Sequence, residues 1–262
     1  MPAIDMLFVS VAKIIAISKE KEANHYATGF FYEHAEGLYI ITNRHVVIDE
    51  DDDYHPDELF LKLHTNPNNI RENGIYKIPL YDSGKPVWYE HPMGAKIDLV
   101  AIWLDTEIKS RFTIRPFNMN DLAPSSIEFP IGQDLLVMGY PKGYYDNFNN
   151  LPLVRDALVS SVYGVDFGGN PYFLIDSRLH EGMSGSPVLT TQSNMTHGVD
   201  GSLHISGGAG RIYLIGVNSA GVYTQLTKEN DESKEVYEEP LGLNIVWYAK
   251  LIPEIITQWA DV

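Results

Sequence analysis

The chain has 262 residues, of which 44% are hydrophobic and 21% charged, enough apolar content to bury a core and too much for a disordered polymer. Acidic residues outnumber basic ones 35 to 19, and the formal net charge of −16 disfavours nucleic acid or an anionic membrane surface as the main partner, since both repel an anion. The absence of cysteine excludes a disulfide scaffold, a thiol nucleophile and a Cys-built zinc site, and no apolar run reaches the roughly 18 residues of a membrane span.

In chain order, Met6 to Ile17 (MLFVSVAKIIAI) has the hydrophobicity of a signal peptide. However, Asp5 precedes it, no Lys or Arg leads it, Lys13 interrupts it, and no small-x-small cleavage site follows. A first β-strand is expected there, and the cytoplasm is the expected compartment. Short stretches rich in Val, Ile, Tyr and Phe then recur, bounded by Gly, Pro, Asn or Asp: Thr28–Tyr32, Leu38–Ile41, Leu59–Leu63, Leu99–Leu104, Leu135–Tyr140, Ala157–Val165, Tyr172–Ile175, Pro187–Leu189, Arg211–Val217 and Leu243–Trp247. Strands at this density, with few helical stretches between them, favour a sandwich or barrels over βαβ units.

At the C-terminus, Ile252, Ile255, Ile256 and Trp259 fall at i, i+3, i+4 and i+7, and Pro253 suits a first helical position, so a helix is expected. Three segments read as surface loops: Asp49–Glu58 with seven acids in ten residues, the Gly- and Ser-rich Gln192–Gly210, and the acidic Lys228–Glu239. A domain seam is expected around Pro116–Pro130, dividing the chain into 1–118 and 119–262.

Three segments could carry chemistry. In His180–Leu189 (HEGMSGSPVL), Ser184 stands between Gly182 and Gly185, small residues that allow a tight turn exposing a hydroxyl and aiming N–H groups at one point. A serine is a weak nucleophile without a base in hydrogen-bond reach. In Gly37–Val47 (GLYIITNRHVV), His45 lies just past an apolar strand, where a scaffold ends, and its ordinary pKa suits proton transfer near neutrality. In Lys96–Leu104 (KIDLVAIWL), Asp98 opens an alternating strand and could orient an imidazole from the side away from the nucleophile. Each alone has a plainer reading: a Gly/Ser turn, one of nine histidines, a strand-end turn aspartate.

Together these segments resemble a trypsin-like, chymotrypsin-fold serine protease of the disulfide-free bacterial kind, similar to the high-temperature-requirement proteases. The likeness rests on TNRHVV, IDLVAIWL, EGMSGSP and IGVNSAGV, and on the chain order His45, Asp98, Ser184, which subtilisins and α/β-hydrolases do not share. The resemblance implies an all-β fold of two six-stranded antiparallel barrels with a C-terminal helix, the first barrel (1–118) carrying His and Asp and the second (119–262) the Ser. It implies a serine endopeptidase acting without a cofactor on peptide or protein substrates. Ser184 would be the nucleophile, His45 the base and Asp98 its orienting carboxylate. The N–H groups of Gly182 and Ser184 would form an oxyanion hole, and Asn218, Ser219 and Ala220 would pair with substrate as an added strand.

The chain departs from secreted trypsins at Met183, where an aspartate would receive a freshly cut N-terminus, so no activation by N-terminal clipping is expected. Arg178, six residues before the nucleophile, could line the base of the primary pocket and favour an acidic P1 side chain; its plainer reading is a solvent-facing arginine or one paired with Asp176. Asp49–Asp53 lacks the spaced ligands of a Ca²⁺ loop and reads as solvated. No His pair at i, i+4 with a third ligand marks a catalytic metal, and the SGGAGR and FGGNPY glycines precede no helical pattern that would cradle phosphate. Two rival readings remain: a catalytically idle trypsin-like fold acting as a peptide-binding module, and the same machinery used as an esterase or for self-cleavage. No motif identifies a regulatory partner.

Overall fold

A computed structural model describes residues 5–21, 23–35, 37–205, 207, 210–230 and 233–260. The chain opens with a 3-10 turn, Met6–Val9, capped by Asp5 Oδ1 accepting from the Leu7 N–H. That cap delays the first strand to β1 (Val11–Ser18), shorter at its start than the apolar run suggests. There follow β2 (Ala23–His34), β3 (Gly37–Thr42), β4 (Glu58–His64), β5 (Asn73–Pro79), the minor pair β6 (Tyr81–Asp82) and β7 (Lys85–Pro86), β8 (Trp88–Glu90), β9 (Val100–Leu104), the short helix α1 (Ile108–Arg111) and β10 (Phe117–Asn118). The second half holds β11 (Ile127–Glu128), β12 (Asp134–Gly139), β13 (Leu153–Val159), β14 (Tyr172–Asp176), β15 (Pro187–Thr190), β16 (Met195–Gly198), β17 (Leu203–Ile205), β18 (Leu214–Asn230), β19 (Ser233–Tyr248) and the helix α2 (Leu251–Ala260).

The second half closes into a six-stranded barrel in the order β12-β13-β14-β19-β18-β15. The first half forms an eight-stranded sheet, β5-β4-β1-β2-β3-β9-β8 with β10 added to β2, whose end strands do not pair, so it is a half-barrel rather than the closed barrel expected. Its last strand, β8, is only three residues long, too short to carry a closing ladder, and α2 packs against β8 and β9 there.

Alternation along the strands explains the layering, because successive side chains point to opposite faces. In β4, Leu59, Leu61 and Leu63 are buried while Phe60 and Lys62 are only half-buried. Leu59 and Leu61 join Ile14, Phe31, Ile40, Val100 and Ile102 in the core of the first half. A second core runs across both halves: Val11, Phe30 and Tyr32 from the sheet meet Val137, Phe173, Ile215 and Val246 from the barrel. Each such side chain gives about 2 kcal/mol on burial, so the crevice between the halves is set by packing and not by a flexible linker.

The helix carries Ile252, Ile255 and Ile256 into that shared core, and the side chain of Trp259 lies outside those described. It begins at Leu251, so Pro253 occupies its first turn instead of its first position, where a missing N–H still costs nothing.

Two of the expected loops are strands. Gln192–Gly210 contains β16 and β17, which join β11 in a three-stranded sheet. Residues 228–230 and 233–239 lie in the far part of the β18–β19 ribbon, paired from Tyr223↔Pro240 to Asn230↔Ser233. Thr227, Val236 and Tyr237 favour extended backbone, and the cross-strand ladder outweighs the acidic composition. Residues 206, 208, 209, 231 and 232 lie outside the described residues.

Candidate active site

Two strand ladders end at the same crevice. In the first, β3 runs antiparallel to β9 with Thr42 opposite Val100. His45, three residues past Thr42, and Asp98, two residues before Val100, therefore emerge from one end of that ladder. In the second, β15 pairs with β18 with Pro187 opposite Val217, so Ser184 and Ser219 emerge together. Register, not sequence proximity, assembles the group.

Asp98 is held by donors on three sides. Its Oδ1 accepts the His45 backbone N–H at 2.9 Å, and its Oδ2 accepts both the His45 ring at Nδ1, 2.8 Å away, and the Ser219 hydroxyl at 2.6 Å. Behind it, Asn43 donates its amide to the Asp98 carbonyl at 2.7 Å. With Asp98 Oδ2 accepting from Nδ1, the imidazole proton is held on that nitrogen and Nε2 is left as the acceptor. Burial acts to lower the His45 pKa, but the hydrogen bond and charge of Asp98, with Asp49 adding to them, outweigh it and leave the pKa raised. Arg44, the residue before it, pairs with Glu50 at 3.0 Å and Glu90 at 3.2 Å and braces the His45 turn.

Ser184 and His45 line one cleft of about 530 Å³, together with Tyr26, Lys142, Glu181 and Gly182. The Ser184 hydroxyl donates to the Ser219 carbonyl at 3.1 Å, and among the described residues no hydrogen bond joins it to His45. The single hydrogen-bonded line expected of the three residues is thus formed on its His–Asp side only. A hydroxyl has one proton to give, and rotation about the Ser184 Cα–Cβ bond between staggered wells is what redirects it.

The turn preceding the strand explains both glycines. Gly182 has φ +86° and Gly185 φ +81°, conformations that L side chains rarely adopt. A Cβ at Gly182 would lie 2.4 Å from the Tyr140 carbonyl oxygen, and one at Gly185 2.1 Å from that of Thr28. Among the described residues, the N–H groups of Gly182 and Ser184 have no acceptor, whereas those of Met183, Gly185 and Ser186 are bonded within the fold. The Glu181 carbonyl accepts from the Lys142 N–H. Because carbonyl and N–H point oppositely across a trans peptide, the Gly182 N–H faces away from Lys142.

The remaining candidates divide between the site and the surface. Asn218 is 2% exposed; its amide donates to the Met183 carbonyl at 2.9 Å, and its backbone bonds Gly185 and Ser186. It supports the serine turn, with its N–H and its carbonyl each bonded within the fold. Ser219 faces Asp98, and Ala220 is exposed beside it. Arg178 is exposed, lines no part of the cleft and makes no ion pair with Asp176 among the described residues; its carbonyl accepts from Arg155 at 3.0 Å. Replacing it by alanine is expected to change the preference between acidic and neutral P1 residues by less than about threefold, measured on peptides varying only at P1. Met183 is fully buried.

Sequence reading placed Ser219 on the substrate side and missed its bond to Asp98, although it stands in the quoted IGVNSAGV. It also missed Thr28, an ordinary strand residue with no sequence signal, whose N–H donates to the Ser184 carbonyl at 2.9 Å.

The family model of the trypsin-like peptidase domain matches residues 27–196, more than half of the chain and a span holding His45, Asp98 and Ser184. The chain belongs to that family. This trypsin-like peptidase domain also resembles solved proteases. The thermostable serine protease AL20 from an extremophilic microorganism aligns with a TM-score of 0.53 at 12% identity, over 98% of this chain and 100% of that chain. Likeness at that identity establishes the fold, which is chymotrypsin-like. Protease Anisep from Arthrobacter nicotinovorans gives 0.49 at 14% identity, over 98% of both chains, and the active form of a protease from M. tuberculosis gives 0.48 at 16%, over 95% of this chain and 80% of that one. No curated protein matches the trypsin-like peptidase in sequence.

Proposed function

We propose that the protein is a serine endopeptidase in which Ser184, His45 and Asp98 act as a catalytic triad. The supporting observation is the Asp98 carboxylate, anchored by two groups of His45 and by Ser219, with Ser184 lining the same cleft as the imidazole. In this reading the Ser184 hydroxyl turns from the Ser219 carbonyl toward His45 Nε2 when substrate enters; such contacts commonly tighten only in the complex. Ser184 Oγ attacks the scissile carbonyl carbon as His45 takes its proton. The carbonyl π pair moves onto oxygen, and the Gly182 and Ser184 N–H groups bond the resulting oxyanion. His45 then returns the proton to the departing amine, leaving an acyl-Ser184 ester. Water, deprotonated by the same imidazole, hydrolyses that ester and restores the hydroxyl.

The raised pKa of His45 has a direct kinetic consequence. The general base must be neutral, and protonation removes activity as pH falls through its pKa. The acid limb of kcat/KM is therefore expected above the ordinary imidazole value of about 6.5, read from a pH–rate profile on a peptide substrate.

One observation favours a second reading, a peptide-binding module with an idle site: the Ser184 hydroxyl bonds to the Ser219 carbonyl and not to His45. A fluorophosphonate probe separates the two. Covalent labelling of the native protein, together with cleavage of a proteome-derived peptide digest, supports the peptidase, and a wild type that neither labels nor cleaves rejects it. Labelling without cleavage of any peptide would point to the esterase alternative.

A further inference from the structure

Thr28 sits on β2, in the first half of the molecule, and is fully buried. All of its polar groups are engaged, most of them by the second half. Its hydroxyl donates to the Gly182 carbonyl at 2.7 Å and accepts the Tyr140 N–H at 3.1 Å. Its N–H donates to the Ser184 carbonyl at 2.9 Å, and its own carbonyl accepts the Thr42 hydroxyl at 2.8 Å.

Those contacts bear on the Gly182 N–H, one of the two groups assigned to the oxyanion. The peptide between Glu181 and Gly182 is pinned by Lys142, and the next peptide is pinned by Thr28 at the Gly182 carbonyl and by His180 at the Met183 N–H. A planar peptide swings as a unit, so the Lys142 bond sets the plane that carries the Gly182 N–H, and the Thr28 bond holds the plane on the other side of the glycine Cα, about which the two would otherwise turn. Glycine has the widest choice of backbone states and at φ +86° has no side chain to lock it; the lock must come from outside. Loss of the Thr28 hydroxyl would free the Gly182 carbonyl and leave the buried Tyr140 N–H without an acceptor.

We propose that the Thr28 hydroxyl is a positioning group for catalysis, tying the oxyanion-binding turn of the barrel to the sheet that carries His45 and Asp98. It touches no substrate. The role rests on the peptidase reading above and makes the donor geometry depend on correct docking of the two halves.

The test compares Thr28→Val, close in shape but lacking the hydroxyl, with Thr28→Ser, which keeps it. Thr190→Val serves as control: Thr190 is equally buried, its hydroxyl accepts the Tyr213 N–H at 2.9 Å, and it lies outside the cleft. Thr28→Val is expected to lower kcat by about tenfold to a hundredfold, the scale of a misplaced transition-state donor, with KM changed less than about threefold. Thr28→Ser is expected to stay within about threefold of wild type in both constants, and Thr190→Val to lose a similar amount of thermal stability while keeping kcat within the same margin. Thr28→Ala is the second variant should the valine not fold, with the same fall in kcat expected. A folded Thr28→Val or Thr28→Ala with wild-type kcat overturns the proposal, as does a Thr28→Ser as slow as the valine or an equal loss of kcat in Thr190→Val. A wild type without cleavage or labelling rejects the peptidase reading itself, and the inference falls with it.

Discussion

Ser184→Ala is expected to abolish fluorophosphonate labelling and to lower kcat on a peptide substrate by a factor on the order of 10⁶, the loss seen when a triad nucleophile is removed. The fold should tolerate the change. Ser184 is only half-buried, and its hydroxyl makes one bond, to the Ser219 carbonyl, with a net value of about 1 kcal/mol. The backbone groups that hold the turn, the Ser184 carbonyl on Thr28 and the Gly185 N–H on Asn218, are unaffected by the side chain. Thermal unfolding within a few degrees of wild type, with activity gone, would locate the chemistry at that hydroxyl. Retention of more than about a hundredth of wild-type turnover would remove Ser184 as nucleophile.

Asp98→Asn is expected to cost about 10⁴ in kcat. The carboxylate accepts from three donors: the His45 N–H, the His45 ring and the Ser219 hydroxyl. An amide has one accepting oxygen and one donating nitrogen, so at least one of those donors meets another donor. If the amide nitrogen faces the ring, Nδ1 must become the acceptor, the ring proton moves to Nε2, and Nε2 can no longer take the proton of Ser184. Removing the negative charge also removes the influence that holds the His45 pKa up. The acid limb of the residual activity should therefore move to lower pH than in wild type, in the same profile that reports kcat. A variant with unchanged turnover and an unmoved limb would show that Asp98 neither orients nor charges the imidazole.

Much of this arrangement was legible in the residues. Gly182 and Gly185 announced a tight turn, and the structure adds that carbonyl oxygens stand close to where their Cβ atoms would lie. The 3.6-residue spacing of Ile252, Ile255 and Ile256 pointed to a helix, and the structure buries all three, because burial follows the period of the backbone. The ribbon of β18 and β19 was not legible: acidic residues such as Glu235, Glu238 and Glu239 read as a loop until the opposite strand supplies partners for their backbone. The open edge of the first sheet was equally hidden, since closure depends on whether β5 and β8 come within reach, and no local signal encodes that distance.

The participants and their order can be read from the residues alone: His45 after one strand, Asp98 before another, Ser184 in a glycine turn, no cysteine to offer a different nucleophile. Tertiary structure alone decided which neighbours each would have. It turned Ser219 toward Asp98, committed Asn218 to the serine turn, left Arg178 in solvent and brought Thr28 across the crevice to Gly182. The reason is physical. Short-range pattern records which way a side chain faces relative to its own strand, whereas hydrogen bonds between residues more than a hundred positions apart arise only when packing of the shared core docks one half on the other.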